Sequence, residues 1–439
     1  MVNKVFDEAS LFLDFQKQTV ERFLAQIAQY DEEARQKLVR QGYKLNKKDK
    51  RTVLFTFGEV TFYRNRWTKN GQTVIPVDEF LGLEKYSRYS KQLVYEVARI
   101  ATYTSYRKVV DIMATTYKLT ITKSLVCKAL KEAGKLLEER DAYRFYEEAN
   151  QVEKIKADII YTEGDGVLVK VIDENTQMPG NMELSHFMVH TGSKQVSKDR
   201  FVLENKKTFV GDNNQEVRQT LQDYIHNHFE ITEETLLVSN SDHGSGYTPY
   251  IFKELAKSLG IKKHEHFWDR YHLNLLLDHY FKTFSEDLRN LVYQGISQHD
   301  KSSVRLALNT AESLIDDVLK QEEFGKFAQR LLRDFSYTKP PHLRGLPKSG
   351  IGVMETQHRK LTYRMKKQGK YWSETGAVTM SKLILLNYEN QLKELFFGDW
   401  REVFEPYREL EALPVSYFLK DKTSSDYYLK GKYHGRKKL

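Results

Sequence analysis

From residue 8 to residue 41, Leu11, Leu13, Phe15, Val20, Phe23, Leu24 and Ile27 follow helical spacing, which predicts a long N-terminal helix that stops at the basic stretch around Gly42. The pattern then becomes β-rich. Thr52 to Phe57 and Val60 to Trp67 flank Phe57-Gly58-Glu59 and predict a hairpin. Ser90 to Tyr103, Ser105 to Tyr117 and Thr122 to Arg140 predict three helices on short linkers, the last one N-capped by Thr122, a helix-turn-helix spacing. At residue 155 the period changes again. Ile159-Ile160-Tyr161 and Val167 to Ile172 read as strands across a turn, Glu163-Gly164-Asp165-Gly166. Further strands or helices are expected at 184–189, 201–209, 214–228, 235–238, 248–259 and 264–267, an alternation that implies an α/β core. Residues 272 to 335 turn wholly helical and end at Thr338-Lys339-Pro340-Pro341, so a helical insertion at about 272–340 is expected, followed by the loop Gly345 to Gly352 and a helix opening near Glu355.

Composition narrows the class. The 439 residues suffice for about three domains, and 13% aromatic content with only 8 Pro argues for a compact chain despite 29% charged residues. The single cysteine, Cys127, excludes an intrachain disulfide and a thiolate zinc finger; its place inside a predicted helix makes it a small buried residue. No apolar run reaches the roughly 18 residues needed to span a bilayer, and Asp7, Glu8 and Asp14 stand where a signal peptide would be basic and apolar. A cytoplasmic protein with no membrane partner is the expectation.

Charge placement points to a polyanion. Lys plus Arg number 69 against 60 Asp plus Glu, a net of +9. From Lys37 to Lys69 ten basic residues face Asp49 and Glu59, a local net of +8, and Arg64 and Arg66 interleave with Tyr63, Asn65 and Trp67 on the hairpin. Basic and aromatic side chains on one ribbon suit a phosphate backbone, although an edge hairpin guarded by charge has the same composition. Lys123 and Lys128 stand near the start of the third helix, where a recognition helix meets DNA. From Lys420 onward seven basic and two acidic residues make a basic tail.

Asp165 and Asp242 each follow or end an apolar strand, the placement a divalent metal site needs, although Asp beside Gly is also ordinary turn chemistry. Glu355 opens a helix whose continuation carries Arg359, Lys360, Arg364, Lys366, Lys367 and Lys370 and no acid. Three hard oxygen donors on such a frame can hold Mg²⁺, or Mn²⁺ in its place, for phosphodiester chemistry, with the basic helix beside the scissile strand. Glu163 or Asp158 could take the first position instead of Asp165. A rival reading makes a transition-metal site of His264, His266, Asp269 and His272. Trp268 and Trp372 read either as core residues or as platforms for unpaired bases.

Together the pieces Gly164-Asp165-Gly166-Val167-Leu168-Val169-Lys170, Ser241-Asp242-His243-Gly244, Trp268-Asp269-Arg270-Tyr271-His272-Leu273 and Glu355-Thr356-Gln357-His358-Arg359-Lys360 to Tyr371-Trp372-Ser373 resemble bacterial insertion-sequence transposases of the ISLre type, relatives of the Mutator superfamily. The resemblance implies a ribonuclease H-like α/β catalytic core with an acidic triad at Asp165, Asp242 and Glu355, supported by Asp269 and His272. It implies four regions: an N-terminal helix and basic hairpin (1–75), a helix-turn-helix region (76–150), a catalytic domain with its helical insertion (151–395) and a basic tail (396–439). The function so implied is binding of terminal inverted repeats and Mg²⁺-dependent cleavage and strand transfer of double-stranded DNA, by a nucleoid-associated homo-oligomer in a synaptic complex. The alternatives are a non-catalytic DNA-binding regulator derived from such an element and a structure-selective nuclease.

Overall fold

The structure, a computed structural model, describes residues 6–151, 153–198, 200–347, 350–366 and 369–404. Lys367 and the tail from residue 405 onward lie outside the described residues. Helix α1 (Glu8–Arg40) leads into the hairpin β1 (Lys44–Phe55) and β2 (Gly58–Lys69), extended by the short β3 (Gln72–Val74) and followed by α2 (Pro76–Phe80). The hairpin register closes at Phe55 and Gly58, with Val53, Phe55, Val60 and Phe62 packed on Ile27 of α1. Helices α3 (Lys91–Tyr103) and α4 (Tyr106–Thr116) precede α5 (Lys123–Gln151), and Ser90 and Ser105 cap the first two of them through their hydroxyls.

The main sheet follows β4 (Ile155–Lys156) with β5 (Ile159–Ile172), β6 (Pro179–His190), the outlying ribbon β7 (Gly192–Ser197) and β8 (Arg200–Glu204), and β9 (Lys207–Gly211). Helix α6 (Asn214–His228), the short β10 (Phe229–Glu230), β11 (Leu236–Ser241), α7 (Pro249–Ser258) and β12 (Lys263–Trp268) complete an alternating segment. Four helices, α8 (Arg270–Phe281), α9 (Glu286–Gln298), α10 (Lys301–Ser313) and α11 (Val318–Arg333), then form a layer with its own core of Leu277, Phe281, Val292, Val304, Leu308 and Leu331. The chain returns through α12 (Met354–Met365), β13 (Trp372–Ser373), α13 (Glu374–Tyr388) and α14 (Leu392–Phe397).

The strand order is β12-β11-β5-β6-β9, with β12, β11 and β5 parallel and β6 and β9 antiparallel. Strand β5 is the axis. Its first half pairs with β11 up to Gly164, and β13 joins the same edge only at Val171. Between these two partners the edge of β5 is open and α12 lies beside it, with Leu361 and Met365 in one core with Val167, Val169 and Val171. That core also contains Leu125, Val126, Ala129 and Leu137 of α5, so the three-helix segment is packed against the sheet. Among the described residues no helix is long and apolar enough to cross a membrane.

Two expectations are corrected. Glu163-Gly164-Asp165-Gly166 is not a turn; it runs through one fourteen-residue strand. The glycines are there for packing, since a Cβ at Gly164 would lie 2.4 Å from the Phe187 ring and one at Gly166 2.7 Å from the Glu183 carboxyl. Cys127 is exposed, because α5 buries Val126 and Ala129 and leaves Cys127 and Lys128 on its outer side. The packing account predicts that Gly164→Ala lowers stability by about 1–3 kcal/mol through overpacking, whereas Gly180→Ala, where a Cβ meets nothing within 4 Å, leaves it within about 0.5 kcal/mol. Urea unfolding of the two variants beside the wild type measures both.

Candidate active site

Strand alternation decides what each face carries. On β5, Tyr161, Glu163, Asp165 and Val167 share the face covered by α12, while Ile160 packs on the opposite face with Leu221 of α6 and Phe252 of α7. The register pairs Asn240 with Glu163 and Ser241 with Gly164, so the next residues, Asp242 and Asp165, stand side by side where β11 leaves β5. Trp268 pairs with Ser241 in turn, and the following Asp269 donates its backbone N–H to the Ser241 carbonyl at 2.7 Å. Three carboxylates therefore occupy neighbouring positions across the three parallel strands, Asp165 within β5 and the other two just past the ends of β11 and β12.

Their surroundings set their charge. Burial pushes the Asp165 carboxyl up to about 7, with the neighbouring Asp242 adding to the rise and His272 opposing it. Asp242 is held by its own turn: its Oδ1 accepts the Gly244 N–H at 2.8 Å, and Arg330 of α11 donates to the carbonyls of Asp242 and His243. Asp269 caps α8, accepting the His272 N–H at 3.0 Å, the His272 Nδ1–H at 2.9 Å and the Asn240 amide at 3.0 Å. Burial acts upward on Asp269, and the hydrogen bonds from His272 and Asn240 outweigh it and hold the carboxyl below its usual range. That hydrogen bond to Asp269 raises His272 to about 9 against its own burial, with Asp165 contributing. Its Nε2 lies 3.8 Å from Asp165 Oδ2.

Helix α12 is fixed from below by Glu163. This carboxylate, 1% exposed, accepts backbone N–H groups from Gly352 at 2.7 Å, Val353 at 3.0 Å and Met354 at 2.9 Å. Burial and Asp269 push it up to about 8 while the N–H groups pull the other way. Gly352 has φ +74°, and a Cβ there would sit 3.5 Å from Asp269 Oδ2. Met354, Gln357, His358, Leu361, Arg364 and Met365 face inward from α12. His358 Nδ1 reaches 3.5 Å from Asp165 Oδ2, and its ring stacks on His186. Burial lowers His358 to about 4, so it is neutral. Glu355, half-buried, lies one turn before His358 on the flank nearer to it; among the described residues no hydrogen bond or ion pair joins it to Asp165 or Asp242.

The remaining expected residues divide. Glu163 stands beside Asp165 as a helix anchor, and Asp158 is exposed at the far end of β5. The transition-metal reading fails on strand parity: His264 and His266 point to the other face from Asp269, where both bond the Ser239 hydroxyl at 2.8 and 2.7 Å. His266 continues to His243 at 3.0 Å. Arg364 and Trp372 are in the core, Arg364 donating to the Ala101 carbonyl of α3 and stacking over Trp372, whose indole N–H goes to Met365. Trp268 is likewise buried, stacked on His243. Lys360 is half-buried on Gln357 and lowered to about 7 by burial and Lys206, Lys366 is half-buried, and Arg359 is exposed. In the N-terminal unit Arg64 and Arg51 both engage the buried Asp78, and Arg66 pairs with Asp49 at 3.3 Å. Lys123 and Lys128 are exposed, with Lys128 over the Tyr89 ring, and on the hairpin Lys48 and Lys50 lie over the exposed Tyr63. Sequence reasoning missed His358, whose signal was its place three residues after Glu355, on the same side of the helix.

The architecture defines a mixed α/β protein with an acidic cluster on one face of its sheet. The chain belongs to the family described as "Uncharacterised protein family (UPF0236)", which it matches over residues 8–400. It is 28% identical over 360 residues to the Streptococcus gallolyticus protein called "UPF0236 protein in vanSb 3'region", a match covering 81% of this chain and 76% of that relative.

The geometry generates two expectations. Replacing Glu163 with Gln turns an NH₂ toward donors, so Glu163→Gln should destabilise by about 1–3 kcal/mol and speed amide exchange at residues 352–354; unchanged exchange there would contradict the anchor. His272 is raised from 6.5 to about 9, so its contribution to stability is complete below pH 6.5 and is lost as the pH climbs through 9. In chelator, unfolding free energies measured from pH 6 to 10 should fall with this group in the wild type, and His272→Gln should remove that part of the slope.

Proposed function

We propose that the chain is a transposase that cleaves and joins DNA strands through Asp165 and Asp242. The observation that carries the reading is the pair itself: two carboxylates abreast on parallel strands, with Asp165 raised first by burial and then by the neighbouring Asp242. Like charges held together in a half-buried site call for a cation. The donor chemistry fits Mg²⁺ or Mn²⁺, with oxygen ligands and no thiolate at hand. Among the described residues no group of three His, Cys, Asp or Glu side chains is placed to hold a metal ion, so the third ligand of the triad, Glu355, is assigned by its flank position on α12.

When bound, the metal would activate the attacking oxygen and stabilise the leaving one. The chain's own groups do the rest. Asp165 and Asp242 hold the charge at the open edge of β5. Asp269 orients the His272 ring, and that ring keeps a proton opposite Asp165. Glu163 keeps α12, and with it Glu355 and His358, against the strand. The strand order 5-4-1-2-3, counted over the alternating segment β5, β6, β9, β11 and β12, supports a ribonuclease H-like reading of the core. Exposed Lys48, Lys50, Lys123 and Lys128 support binding of duplex element ends by the N-terminal half.

Duplexes carrying the ends of the element that encodes the chain are the substrate to test. Mg²⁺ or Mn²⁺ should support cleavage and joining, and excess EDTA should abolish both. Asp165→Asn, Asp242→Asn and Glu355→Gln should each lower the rate by at least about a hundredfold, since a lost ligand removes several kcal/mol of transition-state stabilisation, while end-binding persists. A variant with half the wild-type rate would remove that residue from the site, and cleavage without joining would favour a nuclease.

A further inference from the structure

An open groove of about 930 Å³ runs along the outer edge of the main sheet, away from the acidic cluster. Its floor is β12, whose far edge carries no further strand, through His264, Glu265 and His266. One wall is α7 and the other is the segment from Ser336 to Arg344. That second wall is rigid. Arg344 donates to the carbonyls of Ser336, Lys339 and His266, pairs with Glu265 and lies over the Phe267 ring at 4.1 Å. Arg344 thus ties this wall to β12 and to its own segment.

Five of its lining residues are Lys or Arg, and the one acid, Glu265, is taken by Arg344. Lys262 is paired with Glu233 on the surface. Lys253 and Lys257, one turn apart on α7, and Lys339 on the facing wall have no ion-pair partner among the described residues. Tyr250, 67% exposed, stands at the end of the groove nearer the Asp242 turn. Unpaired cations on both walls and an exposed aromatic ring at one end match the chemistry of a phosphodiester strand, whose phosphates take the ammonium groups and whose bases stack.

We infer that the groove between α7 and the Ser336–Arg344 segment is a binding track for a nucleic-acid strand, held by Lys253, Lys257 and Lys339 and stacked on Tyr250. The inference rests on the reading of the chain as one that handles DNA, and it concerns a surface that no residue of the acidic cluster lines.

Binding of the full chain to fluorescein-labelled single-stranded and duplex oligonucleotides, followed by anisotropy in EDTA, tests it without any cleavage chemistry. Lys253→Glu with Lys257→Glu should weaken binding at least tenfold and flatten the salt dependence by about 1.4 for single strands or 1.8 for duplex. The neutral pair Lys253→Gln with Lys257→Gln should fall between this and the wild type. Tyr250→Ala should cost about tenfold on the single strand. Loss confined to single strands places an unpaired strand in the groove; equal loss on both places a duplex backbone there. The control pair Arg305→Glu with Lys320→Glu, exposed on α10 and α11, should change little. Unchanged binding in the α7 variants, or an equal loss in the control pair, overturns the inference. Metal-dependent cleavage that still responds to Asp165→Asn would leave the transposase reading intact in either case.

Discussion

A carboxylate with almost no exposure and three successive backbone N–H groups around it fixes the relation between the sheet and the helix that closes over it. Glu163 receives Gly352, Val353 and Met354 at the start of α12, where the helix leaves N–H groups without internal partners. Both needs are met by one contact, because a buried carboxyl group requires hydrogen-bond donors and a buried helix start requires an acceptor. The two residues that follow on that face of the structure, Asp165 on the strand and Glu355 on the helix, inherit their positions from it. Gly352 adds the local condition: its φ of +74° is a left-handed conformation that glycine adopts without the strain a side chain would bring.

The second constraint is electrostatic. Asp165, Asp242 and Asp269 are brought together by the registers of three parallel strands, and the protein compensates only part of that charge. Asp269 accepts from the His272 N–H, the His272 ring and Asn240, whereas Asp165 accepts the neighbouring Gly166 N–H at 2.7 Å and faces His272 and His358 only at 3.8 and 3.5 Å. Of the three, then, Asp269 serves as the anchor of α8 and of the His272 ring. The helical layer contributes to the same place from the far side, since Arg330 grips the carbonyls of the Asp242 turn. A helical layer with its own core thus holds one edge of the acidic cluster.

Much of this was legible in the sequence where periodicity carries the information. The hairpin, the three helices after Ser90, the alternating segment and the all-helical stretch after β12 followed from residue patterning. What the pattern could not carry were contacts between distant segments. Nothing around residue 163 announces that residues 352–354 will supply its donors, because backbone N–H groups have no residue signature. Gly164 and Gly166 look like turn formers in the sequence because composition alone does not separate a glycine needed for φ from one needed for the absence of Cβ beside Phe187 and Glu183. Arg364 is expected on the DNA-facing side of a basic helix, and the structure corrects this: helix phase turns it inward with Leu361 and Met365, because a count of basic residues does not fix which face each one takes.

The opposite face of the sheet shows why parity matters for assigning chemistry. His264, Ser239, His266 and His243 form one hydrogen-bonded chain, all under helix α7 and the insertion, and burial lowers each histidine to about 4 or below. These rings are neutral, mutually satisfied and separated by the sheet from the carboxylates. A sequence window that contains His264, His266, Asp269 and His272 looks like a ligand set only if the strand is ignored. Once β12 is drawn as a strand, even positions belong to a structural polar network and Asp269 belongs to the acidic face, so the carboxylates gather where β11 leaves β5.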